Sequence, residues 1–348
     1  MAEPIEPARV ASHDGQRSRW PNWFHFLSFR NVSGLYVFAA LVVLFALWIP
    51  ETFLTATTWR TLLGTQAITA MVAVALCLPL AAGVFDLSVG TALGAGSMMA
   101  AWLIGVRDVS VPAAVLLVLA TGMGIGLANA FFVVVLGIDS FIATLGMASI
   151  LTAFILAISQ GQQIVGLSTS FQQLGTTQIL GMTLPFYVML LVAVALWYVL
   201  ERTPAGRRFY ATGGNREAAR LAGVHTSRIT AASLVVSSTI SAMAGLLLAA
   251  GLGAGDPSLG PDYLLPAFSA AFLGSTQFRN GRFNVWGTVV SIYLLATGTK
   301  GLQLAAAPFW IPALFNGLSL IVAVALTRSR KGSINLRRLV PGRRSGRG

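Results

Sequence analysis

The chain has 348 residues, of which 55% are hydrophobic and 10% charged, and its mean hydropathy is +0.76. Soluble globular domains carry about 25% charged residues, so this composition excludes one and points to an all-α, polytopic membrane protein. The net charge of +12 would suit nucleic acid, but the cations lie in the tails and in short loops between apolar runs, as topology determinants do, so no nucleic-acid partner is expected.

Residues 1–33 carry Arg9, Arg17, Arg19 and Arg30 with Trp20, Trp23 and Phe24. This segment is too long and too charged for a cleavable signal peptide and reads as a cytoplasmic tail with its aromatics at the interface. Apolar runs of about 17 to 25 residues are needed to cross the hydrocarbon as helix. About ten follow, some of them short: Gly34 to Ile49, Leu62 to Leu80, Leu87 to Ile104, Val111 to Val135, Phe141 to Ser159, Leu184 to Leu200, Ile229 to Leu252, Tyr263 to Gly274, Val285 to Thr299 and Phe309 to Leu326. The eighth and ninth are the weakest, because both are short and Pro266 interrupts the former. The expected organisation is a tail over 1–33, a transmembrane domain over 34–326 that contains a charged loop at 201–228, and a basic tail over 327–348.

Ten spans place both termini on one side, which the cations test. With the termini in the cytoplasm, 20 of the 23 Lys and Arg fall inside: in the first tail, in the 201–228 loop, at Arg279 and Arg282, and in the last tail. Arg60, Arg107 and Lys300 remain outside with Asp256, Asp262 and the charge-free stretch 160–183. Dropping one span would move the central loop or the final tail to the exterior.

Glycines recur four residues apart at Gly90 and Gly94 and at Gly122 and Gly126, a spacing that lets helices approach closely in lipid. The single Cys77 lies in an apolar run, so neither a disulfide framework nor a metal site is expected. No phosphate-cradling loop and no hydrolase or zinc-protease motif occurs, and His13, His25 and His225 all lie outside the spans. Transport remains.

Among polar groups near or within the spans, Asp86 stands out, since a carboxylate costs roughly 2.5 to 3.5 kcal/mol at the centre of a span. Two readings stay open for it: a helix cap beside Ser88, or a part of the solute path or gate. Asp139 reads as a cap. Asn129, Thr144, Gln66 and Asn316 could line a polar path or bond neighbouring helices.

The loop from Glu201 to Val224 is arginine-rich. Within it, Gly213, Gly214 and Asn215 form a helix-start signal, and Glu217, Ala218, Ala219 and Gly223 form E-A-A-x-x-x-G with a glycine stop. A short surface helix is expected, with Ala218, Ala219 and Leu221 on its apolar side and Arg216 and Arg220 flanking.

In this setting the chain resembles the permease subunits of bacterial ABC importers for ribose, xylose and arabinose. Four blocks carry the resemblance: GVFDLSVG at 83–90, GIDSFIATLGMASI at 137–150, TGGNREAARLAGV at 212–224 and GSTQFRNGRFNVWGT at 274–288. Val84 and Phe85, Asp139 and Ser140, and Gln277 and Arg279 depart from the family's pattern. The resemblance implies a permease of the bacterial inner membrane, either a homodimer or a pseudo-dimer, that moves a monosaccharide, with a pentose such as ribose or xylose foremost. A separate ATPase subunit would bind ATP and Mg, no cofactor would reside in this chain, and a periplasmic sugar-binding protein would deliver the solute. It also implies that Gly214, Asn215, Arg216, Glu217, Ala218, Ala219, Arg220 and Gly223 couple to the ATPase. The competing reading is an ion-coupled secondary sugar carrier with Asp86 or Asp139 as the coupling acid, which leaves the loop helix unexplained.

Overall fold

The computed structural model describes residues 29–278 and 281–330. The tails at 1–28 and 331–348 and Arg279 lie outside them, so the tail aromatics and most of the terminal cations expected above are not described. Helices account for about four-fifths of the described residues. They are α1 (Phe29–Trp48), α2 (Pro50–Phe53), α3 (Ala56–Ala81), α4 (Val89–Gly105), α5 (Val111–Ala130), α6 (Ser140–Ser159), α7 (Thr169–Thr176), α8 (Leu184–Arg202), α9 (Pro204–Gly214), α10 (Arg216–Leu221), α11 (Thr226–Leu252), α12 (Leu264–Ser275), α13 (Val285–Leu304) and α14 (Ile311–Arg330). A π turn at Phe131–Val135 extends α5, and a 3-10 turn at Gly260–Tyr263 precedes α12.

Each of the ten expected apolar runs therefore forms a helix. Five meet the length and apolarity needed to cross a membrane on their own: α3, α5 with its π turn, α6, α8 and α11. With its 12 residues, α12 is about 18 Å long at 1.5 Å per residue, short of the ~30 Å hydrocarbon thickness. The eighth run is thus a partial span. Such interrupted helices are tolerated at membrane depth only where protein buries their ends, and the interior-facing residues of α12 are buried.

Helices α3 and α11 form the centre of the bundle, where nearly the whole length of α3 from Ala67 to Ala81 is buried. With lipid outside, no hydrophobic force drives helices together, and close packing must supply the attraction. Glycines supply it here. Gly122 and Gly126 of α5 lie on the backbone of α11 at Thr239 and Val235, while Gly245 of α11 lies on Leu93 of α4. Gly90 and Gly94 instead receive Gly260 and Leu264, at the start of α12.

Loops gather on two faces. On one, Tyr210 of α9 donates its hydroxyl to the Phe283 carbonyl at 2.7 Å and carries Arg282 over its ring, which joins the 201–228 loop to the 276–284 loop. On the other, the start of α3 meets the 160–183 stretch where the Arg60 guanidinium lies against Gly181. The same stretch is fixed to the loop after α11: β1 (Ile164–Val165) pairs with β4 (Ala254–Gly255), and Gln163 donates to Asp256. The Ser258 hydroxyl, 2.6 Å from Asp256, holds that carboxyl below the ordinary carboxylate range. A second hairpin joins β2 (Gln178–Ile179) to β3 (Met182–Thr183). The sequence suggests only an uncharged loop over 160–183; the structure adds α7, whose Gly175 sits directly on Gly251 of α11.

Candidate functional site

The charged loop folds as two helices. The Asn215 side chain caps α10, accepting from the Ala218 amide at 3.0 Å, whereas Gly213 and Gly214 close the preceding α9 rather than open a helix. Gly223 follows the end of α10 at φ +83, a left-handed conformation that favours glycine, and a Cβ added there would meet no atom within 4 Å. Within this chain it stops the helix.

A further expectation is corrected. Ala219 is buried and turns toward its own subunit, because its carbonyl accepts from the Val224 amide as the chain doubles back into α11, so the exposed surface consists of Arg216, Glu217, Ala218, Arg220 and Leu221. Glu217 and Arg220 pair with each other at 2.8 Å, one helical turn apart. Both remain mostly exposed, so the pair contributes little to stability and leaves a handle of mixed charge.

Behind that handle, Gly213 of α9 rests on the Ala81 carbonyl at the end of α3 and approaches Gly83, itself at φ +78. A Cβ on Gly213 would overlap Ala81 and stand 2.9 Å from the Gly83 nitrogen. The exposed helix pair is thereby pressed, backbone on backbone, onto the irregular segment 82–88 that joins α3 to α4.

Ala82, Val84, Asp86 and Ser88 of that segment are buried while Gly83 and Phe85 are exposed, and at membrane depth its amides have no water to bond. Side chains from other helices take their place. Phe85 N donates to Ser140 Oγ at 3.1 Å, Leu87 N to Thr144 Oγ1 at 3.0 Å, and Ser88 N to Asp86 Oδ1 at 3.1 Å. A chain of bonds then runs from Asn129 Nδ2 to Ser88 Oγ at 2.8 Å and from Ser88 Oγ to Asp86 Oδ1 at 2.6 Å. Four expected path residues, Asp86, Ser88, Asn129 and Thr144, therefore form one knot around non-helical backbone. Asp86 is not the cap of α4; Ser88 holds that position, and Asp86 instead ties down Ser88 from within the loop. Its second oxygen has no hydrogen bond of ordinary geometry, although the Ser237 hydroxyl of α11 lies beside it. Asp139 does cap its helix, accepting from Phe141 N at 2.9 Å.

Gln66 and Asn316 lie elsewhere. Together with Thr69, Asp262 and Thr299 they line a cavity of about 200 Å³ between α3, α13 and α14, with Tyr263 in its wall. Tyr263 also borders a larger cavity of about 640 Å³ on the face opposite the charged loop, where Thr57, Arg60, Thr61, Thr65 and Gln178 supply polar groups. Hydroxyls, amides and an aromatic ring are the groups that bind neutral polyols.

Sequence reasoning did not single out Gly83, Gly213, Ser237, Asp262 or Tyr263 as site residues. Ser140 stands out in the sequence only as a departure from the family's pattern. Its hydroxyl accepts from the backbone amide of Phe85, a bond that does not depend on the side chain at 85. Gln277, another departure, is buried and donates to Ser291 Oγ at 2.9 Å, while Asn284 bonds its carbonyl and caps α13.

Residues 58–326 match the family described as branched-chain amino acid transport system / permease component. The chain is similar to the ribose import permease protein RbsC of Bacillus subtilis, 31% identical over 271 residues that cover 77% of this chain and 84% of that one. It is also similar to the D-allose transport system permease protein AlsC of Escherichia coli, 28% identical over 306 residues, 88% and 94% of the two chains. With the L-arabinose ABC transporter permease protein AraH of Azospirillum brasilense it shares 29% identity over 337 residues, 95% and 98% of the two chains. No solved structure matches. A multi-pass helical bundle without enzymatic machinery of its own, matched over most of its length, the chain belongs to the family of permease components of branched-chain amino acid transport systems.

Proposed function

We propose that this chain is the membrane subunit of an ATP-driven importer in the bacterial inner membrane, that it carries a monosaccharide, and that ribose, xylose or a similar pentose is its solute. The names of its relatives, which include ribose and L-arabinose transporters, support a pentose. In this reading a separate ATPase docks on α10, a second permease copy completes the conduit, and a periplasmic binding protein delivers sugar to the opposite face.

The observation that carries the reading is the contact of Gly213 with Ala81 and Gly83. A push on the exposed α9–α10 pair reaches segment 82–88 through rigid backbone. Ser140, Thr144 and Asn129 bind that segment to α6 and α5, so α4, α5 and α6 move with it. Nucleotide-driven docking then favours one arrangement of the bundle over another by its different contacts with each. Sugar enters through the 640 Å³ cavity and reaches the Gln66 and Asn316 cavity past Tyr263, which lines both.

Uptake into proteoliposomes containing the chain and its ATPase should require internal ATP. Uptake that follows a proton or sodium gradient and ignores ATP would establish the secondary-carrier reading instead.

Sidedness has its own test. Cys77 is fully buried, so the native chain should take up no impermeant maleimide. Ala222→Cys, beside α10, should be labelled only in inverted vesicles, and Ser170→Cys only in spheroplasts; the opposite pattern removes the reading. Docking is tested by Glu217→Arg, which leaves only cations on the handle. The ATPase affinity should fall about 10-fold or more through like-charge repulsion. Unchanged co-purification would rule α10 out as the dock.

A further inference from the structure

Beside the coupling helix, between α9 and α11, lies a cavity of about 380 Å³. Arg208 from α9 and His225 and Arg228 from the start of α11 form its polar wall, and Gly223, Val224 and Ile229 form the rest. Three other cations on this face have partners, since Arg220 pairs with Glu217 and Arg202 and Arg282 lie over the rings of Trp197 and Tyr210, while Arg207 and Arg216 are exposed and do not line the cavity. Among the described residues, the guanidinium groups of Arg208 and Arg228 make no ion pair and no hydrogen bond, and the acidic groups of the loop do not line the cavity.

Two guanidinium groups that share a cavity repel each other unless an anion joins them. The 27-residue α11 adds the positive end of its dipole at the same place, and the side chain of its N-cap, His225, makes no capping bond. Guanidinium matches phosphate oxygens by paired donors, which is why arginine recurs at phosphate sites. Position selects the source of the phosphate. Ile229 opens the apolar length of α11, and Trp197 and Trp286 pack together at 6.4 Å near the same end of the bundle, as interfacial aromatics do. The cavity thus lies at the level of lipid headgroups, where basic clefts between helices take anionic lipids.

We propose that this cavity binds the phosphate of an anionic phospholipid, with Arg208 and Arg228 as its ligands, and that the lipid clamps α9 to the foot of α11. The inference rests on the reading above only in taking this face as cytoplasmic. Nanodiscs carry one lipid mixture in both leaflets, so the test depends neither on sidedness nor on transport.

The full chain is purified from nanodiscs of phosphatidylcholine doped with phosphatidylglycerol, and retained lipid is counted by native mass spectrometry. The native chain should keep phosphatidylglycerol in preference to phosphatidylcholine. Arg208→Gln with Arg228→Gln should reduce that retention by roughly 10- to 30-fold, as expected for two surface arginines. Arg208→Lys with Arg228→Lys should restore part of it, and the melting temperature in pure phosphatidylcholine should not change. Equal retention by the glutamine variant overturns the proposal. Binding of inorganic phosphate without lipid retention would mean a solution anion and overturns it too. Loss of the ATPase with lipid retention intact would assign the arginines to an acidic partner surface, again against it.

Discussion

Gly213→Val should reduce sugar uptake by about 10- to 100-fold while leaving the ATPase bound. The added side chain meets the Ala81 carbonyl and the Gly83 backbone, neither of which can rotate away as a flexible side chain could. Overpacking of this kind costs roughly 1 to 3 kcal/mol, and relief requires that α9 lift from the end of α3. The handle then still docks, but its motion no longer reaches segment 82–88. Coupling energies between sites are of the same size, about 1 to 3 kcal/mol, so a loss on that scale removes most of the drive. Uptake is measured in proteoliposomes with internal ATP, and docking by co-purification. Wild-type uptake would show that the contact does not transmit the stroke; loss of both uptake and docking would mean that the substitution disturbs α10 as well. Gly83→Ala approaches the same contact from the other side, where the new Cβ would lie 3.0 Å from Gly213 Cα in a left-handed backbone, and should act in the same direction.

The second expectation separates the two parts open to Asp86. Asp86→Ala removes the oxygen that accepts from both Ser88 N and Ser88 Oγ and leaves two buried donors without a partner. Each orphaned group costs about 1 to 3 kcal/mol, so assembly should be poor and the melting temperature lower by several degrees. Asp86→Asn keeps an oxygen for Ser88 and places an amide beside the Ser237 hydroxyl, which can accept from it. The asparagine variant should therefore assemble and transport within about threefold of the native chain if hydrogen bonding to the loop is the whole of the residue's part. Loss of transport with normal melting would reassign the carboxylate to the path or the gate. Measuring both variants by thermal melting and by uptake separates a folding defect from a functional one.

Local chemistry made much of this legible in the sequence. Asn215, Asp139 and the glycine stop at 223 act within a few residues of themselves, so short-range rules locate them. Glycine pairs four apart announce tight helix contact, yet not with which neighbour: Gly122 and Gly126 meet α11, whereas Gly90 and Gly94 meet the start of α12. The inward turn of Ala219 escaped because the chain doubles back after α10, which no helical period conveys.

Apolar run length and the placement of arginines suffice to determine a helical membrane protein with a charged handle between its sixth and seventh runs, because each span must satisfy its own backbone in lipid and can be read alone. Which polar residues meet is another matter. Ser88 joins Asn129 across 41 residues, Leu87 joins Thr144 across 57, and Gln66 shares a cavity with Asn316 from opposite ends of the chain. Those meetings follow from the order in which helices pack, and packing order arises from complementary surfaces that no local window of sequence contains.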